Sequence, residues 1–131
     1  MDKFQQLTSF EDACMILNRQ PHLPDVSSLP EKHAKAIIAH YKLITICEAG
    51  NFLENDNQEW KPDWHNDDER KYYPWFDMDI KEDSGSGLAC DGCDVVYSAS
   101  FVGSRLCYKT WKLAEYIGKT FIELYKEYFL L

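Results

Sequence analysis

The last 31 residues, Phe101 to Leu131, constrain the fold of this chain more than any other stretch. The segment Phe101–Tyr108 is predicted to be a strand that runs into a long C-terminal helix with Thr110 as its N-cap. The apolar residues of that helix recur every three or four positions: Leu113, Ile117, Phe121, Leu124 and Tyr128. This is the period of a helix that buries one face, and such a helix is marginal alone. A sheet or other helices are therefore expected to cover it.

The composition favours one folded domain over residues 1–131. Of the 131 residues, 45% are hydrophobic and 15% aromatic, which is enough to build a core without disulfides or metal ions. No apolar run has the length of a membrane span, and the N-terminus lacks a secretory leader pattern. We expect a soluble protein with reduced cysteines.

The net charge of −8 is concentrated between Glu54 and Asp83, where eleven acidic residues face four basic ones. Such a surface disfavours non-specific nucleic-acid binding, which needs clustered Lys and Arg. It suits solubility, a basic protein partner or divalent cations.

Two helices are predicted in the N-terminal half. A capping box at Thr8–Glu11 opens a helix that ends near Asn18, and a second one at Ser28–Glu31 opens a helix that runs to about Asn51. The apolar face of the second helix is formed by Ala34, Ile37, Ile38, Tyr41, Ile44 and Thr45 and is widened by Ala36, Leu43 and Cys47. Gly50 and Asn51 are the expected stop.

The C-terminal half is predicted to be a small sheet and a helix. A long acidic loop occupies about 52–70, followed by strands at Lys71–Ile80, Val95–Tyr97 and Phe101–Tyr108. The sequence therefore predicts an α+β fold: two N-terminal helices, an antiparallel sheet of three or four strands, and a long C-terminal helix packed on it.

The candidate binding residues lie where the last strand meets the helix. Ser104, Arg105 and Lys109 can place backbone N–H groups and two cations around an anion. Tyr73 and Trp75, on one face of the preceding strand, can provide a stacking surface for bases or a protein partner, and further candidates are Tyr72, Phe76, Trp60 and Trp64. The competing interpretation is that the first three residues merely connect strand to helix and that the aromatic rings fill the core.

Metal and redox chemistry have weaker support. Cys90 and Cys93 have the spacing of half a zinc site or of a redox pair, but no second pair completes the site and no helix follows to activate a thiol. The acidic run 63–69 offers oxygen ligands without the spacing of a calcium loop. No catalytic residue, metal site or cofactor is predicted, because no nucleophile arrangement has a local signature.

Several short sequence segments resemble those of a family of small proteins encoded by phages and prophages of Bacteroides-type gut bacteria. They are Leu23–Val26, Leu29–His33, Ala39–Ile44, Tyr72–Phe76, Val102–Lys109 and Leu113–Tyr116. The resemblance extends from Phe10 onward. It implies a viral setting, in the host cytoplasm or the virion, and no particular chemistry.

Our leading hypothesis is a non-enzymatic phage or prophage accessory protein that binds an anionic small ligand, such as a nucleotide, or a host protein. The expected site combines Ser104, Arg105 and Lys109 with Tyr73 and Trp75. A structural virion or assembly component is the first alternative, and a metal-dependent enzyme using the acidic loop is the second. The sequence leaves the oligomeric state open.

Overall fold

The computed structural model describes residues 2–74, Phe76, 95–98 and 104–130. Their helices are α1 (Phe10–Ile16), α2 (Glu31–Glu54), α3 (Trp111–Thr120) and α4 (Ile122–Phe129), preceded by a short 3-10 turn at Lys3–Gln6. Two strands, β1 (Lys71–Pro74) and β2 (Val95–Ser98), pair antiparallel with Tyr72 opposite Tyr97.

The predicted α+β class is wrong, because the described residues are mostly helical. They contain a two-stranded ribbon instead of a sheet of three or four strands. Of the strand predicted at Phe101–Tyr108, the described part forms one isolated bridge, between Tyr108 and Tyr72. The Ser104 hydroxyl accepts a hydrogen bond from Leu106 N at 3.0 Å, which bends the backbone away from an extended path. The strand predicted at Val95–Tyr97 is confirmed.

The central helix α2 is longer than predicted and buries a different part of its length. It continues through Gly50 and Asn51 to Glu54. Gly50 lies where α2 packs closely on α3: a Cβ atom there would lie 3.0 Å from Leu113 Cδ1, so a larger residue would require the Leu113 side chain to shift. The predicted face is wrong in its first half, where Ile37 and Tyr41 are 43% and 37% exposed. The core of α2 begins at Ala39 and includes Leu43, Ile46, Cys47, Ala49 and Leu53.

The helix starts differ from the predicted capping boxes. Ser9, rather than Thr8, is the N-cap of α1 and accepts from Asp12 N. Pro30 occupies the N-cap of α2 without a side-chain hydrogen bond, so the capping box at Ser28 is wrong. The predicted cap of α3 is confirmed, since the Thr110 hydroxyl accepts from Leu113 N at 3.2 Å.

The prediction of a single long C-terminal helix is also wrong, because the helix is interrupted at Phe121, between α3 and α4. Before the break, Leu113 and Ile117 are buried as predicted. After it, burial shifts from Leu124 to Tyr125, whose hydroxyl lies 2.8 Å from the hydroxyl of Tyr108. The break turns α4 onto α2, where the Tyr128 ring stacks on His40 at 4.3 Å between ring centroids.

Candidate ligand-binding cleft

A cleft of about 560 Å³ lies between the second half of α2, the acidic loop and the segment 104–107. Its lining residues are Ile44, Cys47, Glu48, Asn51, Glu59, Trp60, Pro62, Trp64, Ser104, Arg105 and Cys107. Four of these eleven residues come from the loop that the sequence predicted as acidic and long.

Polar side chains of α2 hold the segment before α3 in place. Asn51 Nδ2 donates to the Cys107 carbonyl at 2.9 Å, and Lys109 N donates to Asn51 Oδ1 at 2.8 Å. The Cys47 thiol also donates to the Cys107 carbonyl, at 3.2 Å. These groups are saturated by protein, so they shape the cleft and have little capacity left for a ligand.

The two cysteines that line the cleft are neutral thiols at physiological pH. Burial raises the pKa of Cys107 to about 11, and burial together with the neighbouring Cys107 raises the pKa of Cys47 further. A thiolate is the form that attacks electrophiles and binds zinc. This cleft is therefore poorly suited to thiol chemistry.

Two half-buried indole rings, Trp60 and Trp64, form the loop side of the cleft with Pro62 between them in sequence. Trp64 is held by a cation–π contact, because the ammonium of Lys71 lies 5.1 Å from the centre of its ring. The rings give the cleft planar apolar surfaces.

Of the charged side chains that line the cleft, Glu48 is already paired within the described part of the protein and Arg105 is not. Both carboxylate oxygens of Glu48 are taken by the Arg19 guanidinium, at 2.9 and 2.5 Å. Arg105 is exposed and has no ion-pair partner among the residues that the structure describes. Burial and the positive charge of Arg105 both lower the pKa of nearby His40. Arg105 is thus an unneutralised cation at the rim of an aromatic cleft.

The structure separates the residues of the predicted site. Ser104 and Arg105 line the cleft, although the Ser104 hydroxyl is occupied by Leu106 N. Lys109 lines a neighbouring depression of about 270 Å³, which shares Trp60 with the cleft. Tyr73 is half-buried in β1 and lines neither space. Trp75 lies outside the described residues.

The sequence indicates Trp60 and Trp64 as possible stacking residues but leaves them out of the expected site. That they line the same cleft as Arg105 depends on tertiary structure. Lys71 was missed altogether. Its signal is the spacing of Asp63, Asn66 and Glu69, three residues apart and followed closely by a lysine.

Within the described ranges, no group of three or more His, Cys, Asp or Glu residues is arranged to hold a metal ion. Cys90 and Cys93 lie outside those ranges. No helix in the described part of the chain is long and apolar enough to cross a membrane. Comparisons with protein-family models, curated proteins and solved structures found no match.

Proposed function

We propose that this protein binds an anionic, planar small molecule, with a nucleotide as the leading candidate, in the cleft between Trp60, Trp64 and Arg105. The observation that carries the proposal is the free guanidinium of Arg105 at the rim of a cleft walled by two indoles. The binding is non-enzymatic, because the cleft's thiols are protonated and its Asn51 amide is engaged by backbone groups.

The groups left over for a ligand define its chemistry. Indole rings stack on bases with about 1–3 kcal/mol per base, and this stacking is tolerant of base identity. A guanidinium binds phosphate or carboxylate oxygens through two parallel N–H donors. Of the two acidic residues that line the cleft, Glu48 is neutralised by Arg19, which leaves Glu59 as the carboxylate that opposes an anion. The cleft therefore fits a ligand with a flat ring at one end and negative charge at the other.

Within the same proposal, the protein acts as a phage or prophage accessory protein in the host cell. The resemblance of Ala39–Ile44 and Val102–Lys109 to phage-encoded proteins supports this setting. Both segments contribute to the cleft, through Ile44 and through Ser104 to Cys107.

The test begins with purified protein, which is denatured and analysed by mass spectrometry for released nucleotides. Calorimetry against a panel of nucleoside mono-, di- and triphosphates follows. Arg105→Ala is expected to weaken binding about 10- to 100-fold, the value of a charge-assisted hydrogen-bonded pair. Lys112→Ala is the matched control, because Lys112 is an exposed cation of α3 that does not line the cleft.

A second pair of variants tests the stacking surface. Trp60→Leu is expected to weaken nucleotide binding about tenfold, whereas Trp111→Leu is expected to leave it unchanged. Trp111 is a suitable control because its indole is 46% exposed and lies outside the cleft lining. If mass spectrometry finds no released nucleotide and calorimetry finds no nucleotide binding, the small-ligand proposal is excluded and a host protein becomes the expected partner. Detection of the protein at many copies per purified particle would instead favour the virion role.

A further inference from the structure

Lys71, the first residue of β1, has a side chain that is fully buried, with 0% exposure. Lysine is rarely buried unless its charge is paired. Its Nζ lies 2.6 Å from the carbonyl oxygen of Asp63 and 3.2 Å from that of Asn66. A carboxylate oxygen of Glu69 lies 3.5 Å away. The two carbonyl oxygens accept hydrogen bonds from the ammonium, and the Glu69 carboxylate balances its charge as an ion pair.

The acidic loop folds as two consecutive turns around this ammonium. Asn66 N donates to Asp63 O, and Glu69 N donates to Asn66 O, both at 3.2 Å. Each turn is closed a second time by the side chain of its first residue. Asp63 Oδ1 accepts from His65 N at 3.0 Å, and Asn66 Oδ1 accepts from Asp68 N at 2.9 Å. The repeated geometry brings the carbonyl oxygens of Asp63 and Asn66 to one point.

Glu69 and Trp64 complete the enclosure. Glu69 Oε1, the oxygen that faces Lys71, also accepts from Asp63 N at 2.7 Å and so ties the end of the loop to its beginning. The Trp64 ring lies 5.1 Å from the ammonium and provides a cation–π contact on another side. The same indole forms part of the wall of the cleft.

We infer that residues 63–69 form a cation-binding loop whose cation is the protein's own Lys71 ammonium. Carbonyl and carboxylate oxygens converge on it as they converge on a hard metal ion. The loop is thereby ordered without a metal, and Trp64 is held in the wall of the cleft. Removal of the Lys71 side chain leaves a site that accepts a small organic ammonium ion. This inference is independent of the proposed function, because it concerns the order of the loop in the ligand-free protein.

Chemical rescue tests the inference. Lys71→Ala removes three methylenes and the ammonium, the equivalent of n-propylammonium. Loss of a buried charge pair is expected to lower the melting temperature by roughly 10 °C. n-Propylammonium at millimolar concentration should restore half or more of that loss, whereas n-propanol, which has the same length without charge, should not. Neither additive should change the wild-type melting temperature.

The result that overturns the inference is equally specific. Equal rescue by n-propylammonium and n-propanol would mean that the side chain acts by filling space. A folded Lys71→Ala protein with wild-type stability, or one that neither additive rescues, would show that the ammonium does not hold the loop.

A second variant covers the case in which Lys71→Ala fails to fold. Glu69→Gln keeps an oxygen to accept from Asp63 N but removes the negative charge facing Lys71. Hydrogen exchange of the backbone N–H groups of residues 66 and 69 is expected to become at least threefold faster. Glu59→Gln, at an exposed acid of the same loop, should leave those amides unchanged. Unchanged exchange in Glu69→Gln would overturn the inference.

Discussion

The carboxamide of Asn51 binds the carbonyl of Cys107 across 56 positions of sequence, with Nδ2 and O 2.9 Å apart. The other end of the same carboxamide accepts from Lys109 N, so one side chain holds the backbone on both sides of Tyr108. Asn51 is buried, and water cannot replace these bonds. This clamp connects the central helix α2 to the start of α3 and fixes the segment that presents Arg105 to the cleft.

We predict that Asn51→Asp destabilises the protein by about 2–3 kcal/mol. A carboxylate can still accept from Lys109 N, but its second oxygen would face the Cys107 carbonyl as acceptor against acceptor, and only the weaker thiol donor of Cys47 would remain for that carbonyl. Urea unfolding gives the free energy. Asn57→Asp is the matched control, since Asn57 is exposed and the same change there should cost no more than about 0.5 kcal/mol. Equal values for the two variants would contradict the clamp.

Thr110 is predicted to stabilise the start of α3 through two contacts of one hydroxyl. The hydroxyl accepts from Leu113 N and donates to the carboxylate of Glu54 at the end of α2. Thr110→Val keeps the shape but removes both bonds, and we expect a loss of about 1–2 kcal/mol in the free energy of unfolding. Thr110→Ser keeps the hydroxyl and should cost less than half as much. A Thr110→Val protein as stable as Thr110→Ser would disprove the role of the cap.

Local signals in the sequence predicted local structure well. Thr110 as a helix cap depends on residues within one turn, and so does the apolar period of Leu113 and Ile117. Both were predictable for that reason. The break at Phe121 is not predictable in this way, because it accompanies the contact of Tyr125 with Tyr108, which are 17 positions apart in sequence.

The errors in the fold class and the site have the same origin. The sequence pattern of 101–108 is compatible with a strand. In the structure, however, the Ser104 hydroxyl accepts from Leu106 N and bends the chain, and the Cys107 carbonyl accepts from the Asn51 side chain and not from a neighbouring strand. The end of α2 predicted at Gly50 is wrong, and this glycine instead lies inside the helix where α2 packs against Leu113. Arg105 was found from its position beside a helix start. Its partners in the cleft come from a loop some 40 positions earlier, which no local pattern reveals.

The cysteines of the cleft should be unreactive toward iodoacetamide near neutral pH. Burial raises the pKa of Cys107 to about 11 and that of Cys47 still higher, so the thiolate fraction is small. Peptide mapping after alkylation at pH 8 should show Cys47 and Cys107 unmodified under conditions that fully label the same peptides in denatured protein. Rapid labelling of either residue in the folded protein would show that the cleft opens or that the thiol is activated.

The imidazole of His40 is predicted to report the charge of Arg105. Burial, first, and the Arg105 cation, second, lower the pKa of His40 below its usual value of 6.5. The imidazole of His40 therefore binds a proton less readily in the folded protein than in the unfolded chain. As pH falls below about 6.5, the unfolded state binds more protons and the stability contributed by neutral His40 is lost.

Arg105→Ala should raise the pKa of His40 part of the way toward 6.5, because the cation is removed while burial and the Tyr128 stack remain. An anion bound by the Arg105 guanidinium should move this pKa in the same direction, so saturation with a nucleotide gives an independent reading of the cleft in the wild-type protein. The measurement is an NMR titration of the His40 ring between pH 4 and 8 (about 4 units, spanning its transition). Lys112→Ala is the control for a general change in net charge. A His40 pKa that is the same in both variants would show that Arg105 does not act on this ring.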